Sequence, residues 1–293
     1  MFQLISDGGC DFTTEEVQQY NIDLVPFYVT FDQENYLKEG VEISKADYFQ
    51  RLKTEKNLFP KTAQPSPQDY IDVYEPHLKA GKDIISLTIS SKLSGTYNSA
   101  TLAANTLKED YPEQKIIVID SLNASVGQGL ILKELIKMRD NGCEITEAAA
   151  LADQVIKTAS IHFTLDSLEY LKRGGRVGPT TALVGGILGL RPVLHLVDGM
   201  VEQLDSVRGN KKVLQLIEEG LVAALKDEVQ NINLGVGHIL RLDDAIKLKT
   251  SLETALGIKM TDQIVEVGVT IGTHAGPGAL VVAYCKKYEN FIS

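Results

Sequence analysis

Apolar residues fall along this chain in two different rhythms. In the first half they form short, continuous runs rich in Ile and Val. These runs, Phe2–Ser6, Leu24–Phe31, Asp83–Ile89 and Lys115–Asp120, predict strands. Asp83–Ile89 is apolar between polar ends, the pattern of a strand buried on both faces of a parallel sheet. The segments between the runs carry helix signals. Ser44 precedes Lys45-Ala46-Asp47, and Ser66-Pro67-Gln68-Asp69 joins a cap, a first-turn proline and an early acid. Asn98–Leu107 is rich in Ala and Leu. This β-α-β-α alternation predicts an α/β fold, with an N-terminal three-layer α/β/α domain around a mainly parallel sheet over residues 1–160.

The second half changes rhythm. Pro192–Val197 and Val201–Ser206 flank Asp198-Gly199, a two-residue hairpin signal. Lys211–Lys226 and Asp243–Leu256 predict helices, whereas Asn233–Ile239, Ile264–Ile271 and Leu280–Cys285 predict strands. Hairpins mixed with long helices predict a two-layer α+β domain with a mixed sheet over residues 161–293. Gly127–Asp140 and Ile145–Thr158 form a helix pair split by Asn141-Gly142 and are expected to bridge the halves.

Composition narrows the partners. The 293 residues suit two domains, and the net charge of −10 argues against nucleic acid, which needs a basic face. Three scattered cysteines, Cys10, Cys143 and Cys285, form no C-x-x-C pair, so neither a disulfide framework nor a zinc knuckle is expected, and a cytoplasmic location follows. Met1–Asp7 lacks the basic and apolar regions of a signal peptide. The longest apolar run, Ala182–Leu190, contains three glycines and is too short to span a bilayer, so no transmembrane segment is expected.

Four motifs carry candidate chemistry. Ser90-Ser91-Lys92-Leu93-Ser94-Gly95-Thr96 lies between a predicted strand end and a helix start, where backbone N–H groups and hydroxyls can receive an anion. Helix capping alone would explain Ser94, but the three serines together exceed what a cap requires. Lys61-Thr62-Ala63-Gln64-Pro65-Ser66-Pro67 leads into a helix, and capping leaves Thr62 and Gln64 unexplained. In Asp166–Arg176, helix termination accounts for Lys172, Arg173 and Gly174 but not for Arg176, which can face a carboxylate or phosphate. Gly272-Thr273-His274-Ala275-Gly276-Pro277-Gly278 reads as a glycine-dense loop between strands, with His274 either functional or structural.

Other chemistries lack their signatures. No G-x-S-x-G elbow, Walker A motif or metal-ligand spacing is present. Gly127-Gln128-Gly129 and Gly235-Val236-Gly237 each lack the third glycine of a dinucleotide fingerprint.

Thr62-Ala63-Gln64-Pro65-Ser66, Ser90–Ala100, Leu165–Arg176 and Gly272–Ala279 together resemble the DegV family in order and spacing, over essentially the whole chain. Ser6-Asp7-Gly8-Gly9-Cys10-Asp11 is similar to the family's opening motif, with Gly8 and Ala63 replacing frequent hydroxyl residues. The resemblance implies a non-enzymatic carrier of one long-chain fatty acid, without cofactor, that presents the acid to a partner fatty acid kinase. Contact with a membrane surface would at most be transient. It implies that Thr62 and Ser94 hydrogen-bond the carboxylate, with Gly95 supplying backbone and Thr273, His274 and Arg176 near the head group. Val184–Leu190 reads either as tunnel wall or as ordinary core helix, and Arg208-Gly209-Asn210-Lys211-Lys212 either as a docking patch or as a solvated helix start. An acyl-transferring or hydrolytic enzyme using Ser94 and His274 is the reading from another class.

Overall fold

The structure is a computed structural model and describes residues 2–55, 58–176 and 190–292. Of the expected tunnel wall, residues 184–189 lie outside this set. The chain begins β1 (Gln3–Asp7), α1 (Thr14–Gln19), β2 (Ile22–Val25), β3 (Tyr28–Thr30), β4 (Tyr36–Lys38), α2 (Lys45–Thr54) and β5 (Lys61–Ala63). It continues α3 (Pro67–Lys79), β6 (Ile84–Thr88), α4 (Thr96–Leu107), β7 (Ile116–Asp120), α5 (Ser125–Asp140) and α6 (Ile145–Ile156). Then follow β8 (Ser160–Thr164), α7 (Glu169–Gly174), β9 (Leu190–Val197), β10 (Met200–Arg208) and α8 (Asn210–Leu225). The last elements are β11 (Ile232–His238), α9 (Leu242–Leu256), β12 (Val265–Glu266), α10 (Val269–Ala275) and β13 (Leu280–Lys286).

The fold is α/β. A parallel sheet of order β2-β1-β6-β7 forms the N-terminal part, and a mixed sheet of order β10-β9-β8-β13-β11-β12 the C-terminal part. Alternation along the parallel strands sends Ile5, Val25 and Ile84 to one face, where Tyr70, Tyr74, Ala100 and Leu107 of α3 and α4 cover them. Leu4, Ile85 and Leu87 face the other way, into the cluster built by α5 and α6. On the mixed sheet, α8 and α9 bury Val213, Ile217, Leu248 and Leu252 against Val236 and Val282.

Helix α5 belongs to both halves. It packs on β1 from one side and on β11 and β13 from the other. Thirteen of its 16 residues are buried, as expected of a helix enclosed between two sheets. Fully buried Ile131, Leu132 and Leu135 each contribute about 1.5–3 kcal/mol of hydrophobic stabilisation. Gly235 and Gly237 make this closeness possible, because a Cβ there would stand 2.6 and 2.7 Å from Val126. The G-x-G pair of β11 is thus a packing device.

The hairpin between β9 and β10 turns at Asp198 and Gly199, both with positive φ, as the Asp-Gly pair predicts. Two predicted strands differ. Leu24–Phe31 is divided at Pro26, and its second part joins a small antiparallel sheet of order β4-β3-β5. Ile264–Ile271 keeps strand pairing only at Val265–Glu266, and the supposed glycine loop that follows begins as helix α10. Its β-branched Val269, Thr270 and Ile271 read locally as strand. Tertiary partners override that preference, since Glu39 and Asp11 receive the helix's first N–H groups.

Candidate ligand-binding site

A cavity of about 910 Å³, counted out to its open mouth, lies beyond the carboxyl ends of the parallel strands. Ile89, Leu93 and Ser94 line it after β6, and Ala124 and Ser125 after β7. The mixed sheet supplies Ile161, Phe163, Leu196, Val201 and Val281, and α10 supplies Thr270, Ile271, His274 and Ala275. Most of this lining is aliphatic. Ser90 does not line it; its hydroxyl donates to the Gly199 carbonyl at 2.8 Å and so fastens the β9–β10 hairpin to the end of β6.

The polar groups of the lining are linked by direct contacts. Thr62 Oγ1 and His274 Nε2 are 2.8 Å apart. Gly174 lies against the same imidazole, so closely that a Cβ would stand 2.3 Å from His274 Nδ1. Arg176 donates to the Gly174 carbonyl at 2.5 Å and to the Leu93 carbonyl at 3.1 Å. Leu93 adjoins Ser94, whose hydroxyl lies 2.6 Å from Thr96 Oγ1. Gly95 follows, with the Gln64 amide filling the space that a side chain would need. Thr62, Gln64, Ser94, Arg176 and His274 therefore form one polar patch on an otherwise mainly apolar cavity.

Burial sets the charges of this patch. It pushes the His274 imidazole down to about 4, with the Arg176 charge acting in the same direction, so the ring is neutral at physiological pH. Its Nδ1 is buried without a hydrogen-bond partner among the described residues. Burial also lowers the pKa of Arg176, but a guanidinium stays protonated in proteins. Arg176 is the one charged side chain among the described lining residues. The Arg176 guanidinium is half-buried, and an anion beside it offsets the hydration it has lost. The arrangement can hold the carboxylate of an otherwise apolar molecule.

Of the residues expected at the site, Thr62, Ser94, Arg176 and His274 line the cavity. Gly95 is the N-cap residue of α4 and lies behind Gln64. Thr273 points away from the cavity; its hydroxyl is 2.7 Å from the Tyr48 hydroxyl and donates to the Val269 carbonyl at 2.8 Å. The helical course of α10 explains this, since successive helix residues face different sides. Sequence reasoning missed Ser125 and Thr270, which line the cavity through segments that carry no local motif. No group of three or more metal-ligating side chains occurs among the described residues, and no described helix is long and apolar enough to cross a membrane.

Comparison with known proteins matches this architecture throughout. A DegV domain-containing protein of Caldanaerobacter subterraneus subsp. tengcongensis is 31% identical over 284 residues, spanning 97% of this chain and 98% of that protein. A stearic-acid-binding protein from Eubacterium ventriosum superimposes with a TM-score of 0.92 at 32% identity, covering 99% of this chain and 100% of its own. A fatty-acid-binding DegV family protein from Thermus thermophilus gives a TM-score of 0.87 at 30% identity, over 97% and 99% of the two chains. The profile described as "Uncharacterised protein, DegV family" matches residues 1–287, and the chain belongs to the DegV family.

Proposed function

We propose that this chain is a non-enzymatic carrier of one long-chain fatty acid. The observation that carries this reading is a mainly aliphatic cavity with, among the described residues, one polar patch and one cation. The carboxylate rests on Thr62 and Ser94, with Arg176 and Gln64 beside it. If His274 Nε2 donates to Thr62 Oγ1, the threonine hydrogen is free to donate to the carboxylate. The tail lies among Ile161, Phe163, Leu196, Val201 and Val281, and each buried methylene contributes about 0.8 kcal/mol. The stearic-acid-binding protein of Eubacterium ventriosum supports this class of ligand.

A hydrolytic or acyl-transferring role for Ser94 and His274 finds less support. The imidazole contacts Thr62 rather than Ser94, and among the described residues no carboxylate orients its Nδ1. Presentation of the acid to a separate kinase belongs to the same proposal, with exposed Arg208, Lys211 and Lys212 as the docking patch. The chain has no Trp, so binding is best read by displacement of fluorescent cis-parinaric acid with palmitic acid. Saturable, stoichiometric displacement is expected, and its absence would contradict the carrier reading.

A further inference from the structure

Two carboxylates outside the polar patch converge on the start of α10. Asp11 is buried and accepts from the Gly268 N–H at 2.8 Å and from the Ser125 hydroxyl at 2.5 Å. Glu39 is only partly buried as a residue, but helix α10 engages both of its carboxylate oxygens. It accepts from the N–H of Val269 at 2.6 Å, the N–H of Thr270 at 3.0 Å and the Thr270 hydroxyl at 2.5 Å. The two groups are neighbours, because a Cβ on Gly268 would stand 2.7 Å from Glu39 Oε1 and 2.8 Å from Asp11 Oδ1. They fasten a helix from the end of the chain to segments more than 200 residues away. The two hydroxyls they hold, Ser125 and Thr270, both line the ligand cavity, and the helix they hold carries His274 one turn further on.

We propose that Asp11 and Glu39 are the positioning residues of the ligand site, and that the protonation state of this pair sets its affinity for a fatty-acid carboxylate. The inference rests on the fatty-acid reading above. Two close, desolvated carboxylates do not both ionise readily. Burial raises Asp11 to about 6 and Glu39 to about 7, the latter also through the charge of Asp11. When the pair is fully ionised, Ser125 and Thr270 are committed as donors to it, and two negative charges stand behind the wall of an anion site. A proton on the pair removes one charge and frees a hydroxyl to turn towards the cavity. Lys45 of α2 opposes this by favouring the ionised Asp11, while its ammonium donates to the Glu266 carbonyl at 2.5 Å. Tyr48 of α2 faces Glu39 as a neutral phenol, raised far above its ordinary value by burial. Asp7 and Cys10 lie beside Asp11, and burial pushes Asp7 up to about 6 and keeps the Cys10 thiol neutral. From α7, packed on the same helix, come Glu169, Tyr170, Lys172 and Arg173, and Arg176 and His274 lie at the far end of α10.

The test is cis-parinaric acid affinity for the full chain from about pH 6 to about pH 8.5, in wild type and in Glu39→Gln, with Asp11→Asn as a second variant should the first not fold. The probe's own carboxyl titrates alike against each protein, so differences between profiles belong to the pair. Affinity in the wild type is expected to fall about fivefold or more across this range, a usual size for coupled sites, and the fall to vanish in the variant. A flat wild-type profile, or a variant that keeps the wild-type slope, would overturn the proposal. Absence of probe binding at every pH would instead overturn the fatty-acid reading itself.

Discussion

The two ends of α10 show burial acting in opposite chemical directions with the same result. At its start, burial raises two carboxyl groups towards neutrality; near its end, burial lowers an imidazole until it is uncharged at physiological pH. Both shifts favour the uncharged form, and Arg176 is the cation among the described lining residues. Charge near this site is thus controlled by exclusion of water more than by pairing. A seven-residue helix links an acid pair that titrates near neutrality with a patch whose imidazole stays uncharged there.

The sharpest way to break this comparison is to crowd each end separately. Gly268→Ala places a Cβ against both carboxylates, which are held by backbone N–H groups and cannot retreat freely. Loss of about 1–3 kcal/mol of stability is expected, read as a lowered Tm. Gly174→Ala instead presses on His274 Nδ1 at a partly exposed helix end. Here fatty-acid affinity is expected to fall about tenfold while stability changes by less than about 1 kcal/mol. Equal losses of stability in both variants would show that the ends are not distinct.

Removing donors sharpens the patch end. Thr62→Ala and Ser94→Ala each delete a hydroxyl-to-carboxylate bond of about 1.5–3 kcal/mol, so each is expected to weaken binding about tenfold or more. Thr273→Ala, whose hydroxyl serves Tyr48 instead, is expected to leave affinity near wild type. Unchanged affinity in the first two variants would remove them from the head-group site.

The pH dependence of stability separates the two ends by sign. An imidazole lowered from 6.5 to about 4 refuses a proton that the unfolded chain accepts, so its contribution is lost as pH falls through that window. His162, lowered to about 4 by burial, adds to the same limb. Glu39, raised from 4.5 to about 7, keeps a proton that the unfolded chain releases, so its contribution is present at low pH and lost as pH rises to about 7. Thermal melting across pH is expected to show both limbs, with Glu39→Gln flattening the upper one alone. The smallest effect is expected at the surface. On the proposal of a partner kinase, charge reversal of Arg208 and Lys211 should slow phosphorylation of the bound acid by an added fatty acid kinase without changing lipid content, and an unchanged rate would remove the patch from the proposal.

What could be read from the sequence was local. The parallel strands, the Ser66 capping box, the Asp198-Gly199 hairpin and the hydroxyl loops all announce themselves within a few residues. The polar patch was legible as separate motifs, and Thr62, Ser94, Arg176 and His274 do line one cavity. Helix α10 was not, because its β-branched start reads as strand until Asp11 and Glu39 arrive from more than 200 residues away. The acid pair was invisible for the same reason: neither residue belongs to a motif with the other, and only folding makes them neighbours. Gly235 and Gly237 resembled a truncated nucleotide motif because close helix packing and phosphate approach both require the absence of a side chain.

The central claim is that the mainly aliphatic cavity, with Arg176 as the cation among its described lining residues, holds a fatty acid. Its most direct test is mass spectrometry of lipid extracted from the protein purified without added ligand, beside the Thr62→Ala, Ser94→Ala double variant. The account predicts long-chain acids of about sixteen to eighteen carbons near unit stoichiometry, with occupancy sharply reduced in the variant and affinity falling by about 0.8 kcal/mol for each methylene removed. Recovery of no lipid, of isoprenoids or nucleotides, or of equal fatty acid in both proteins would contradict it.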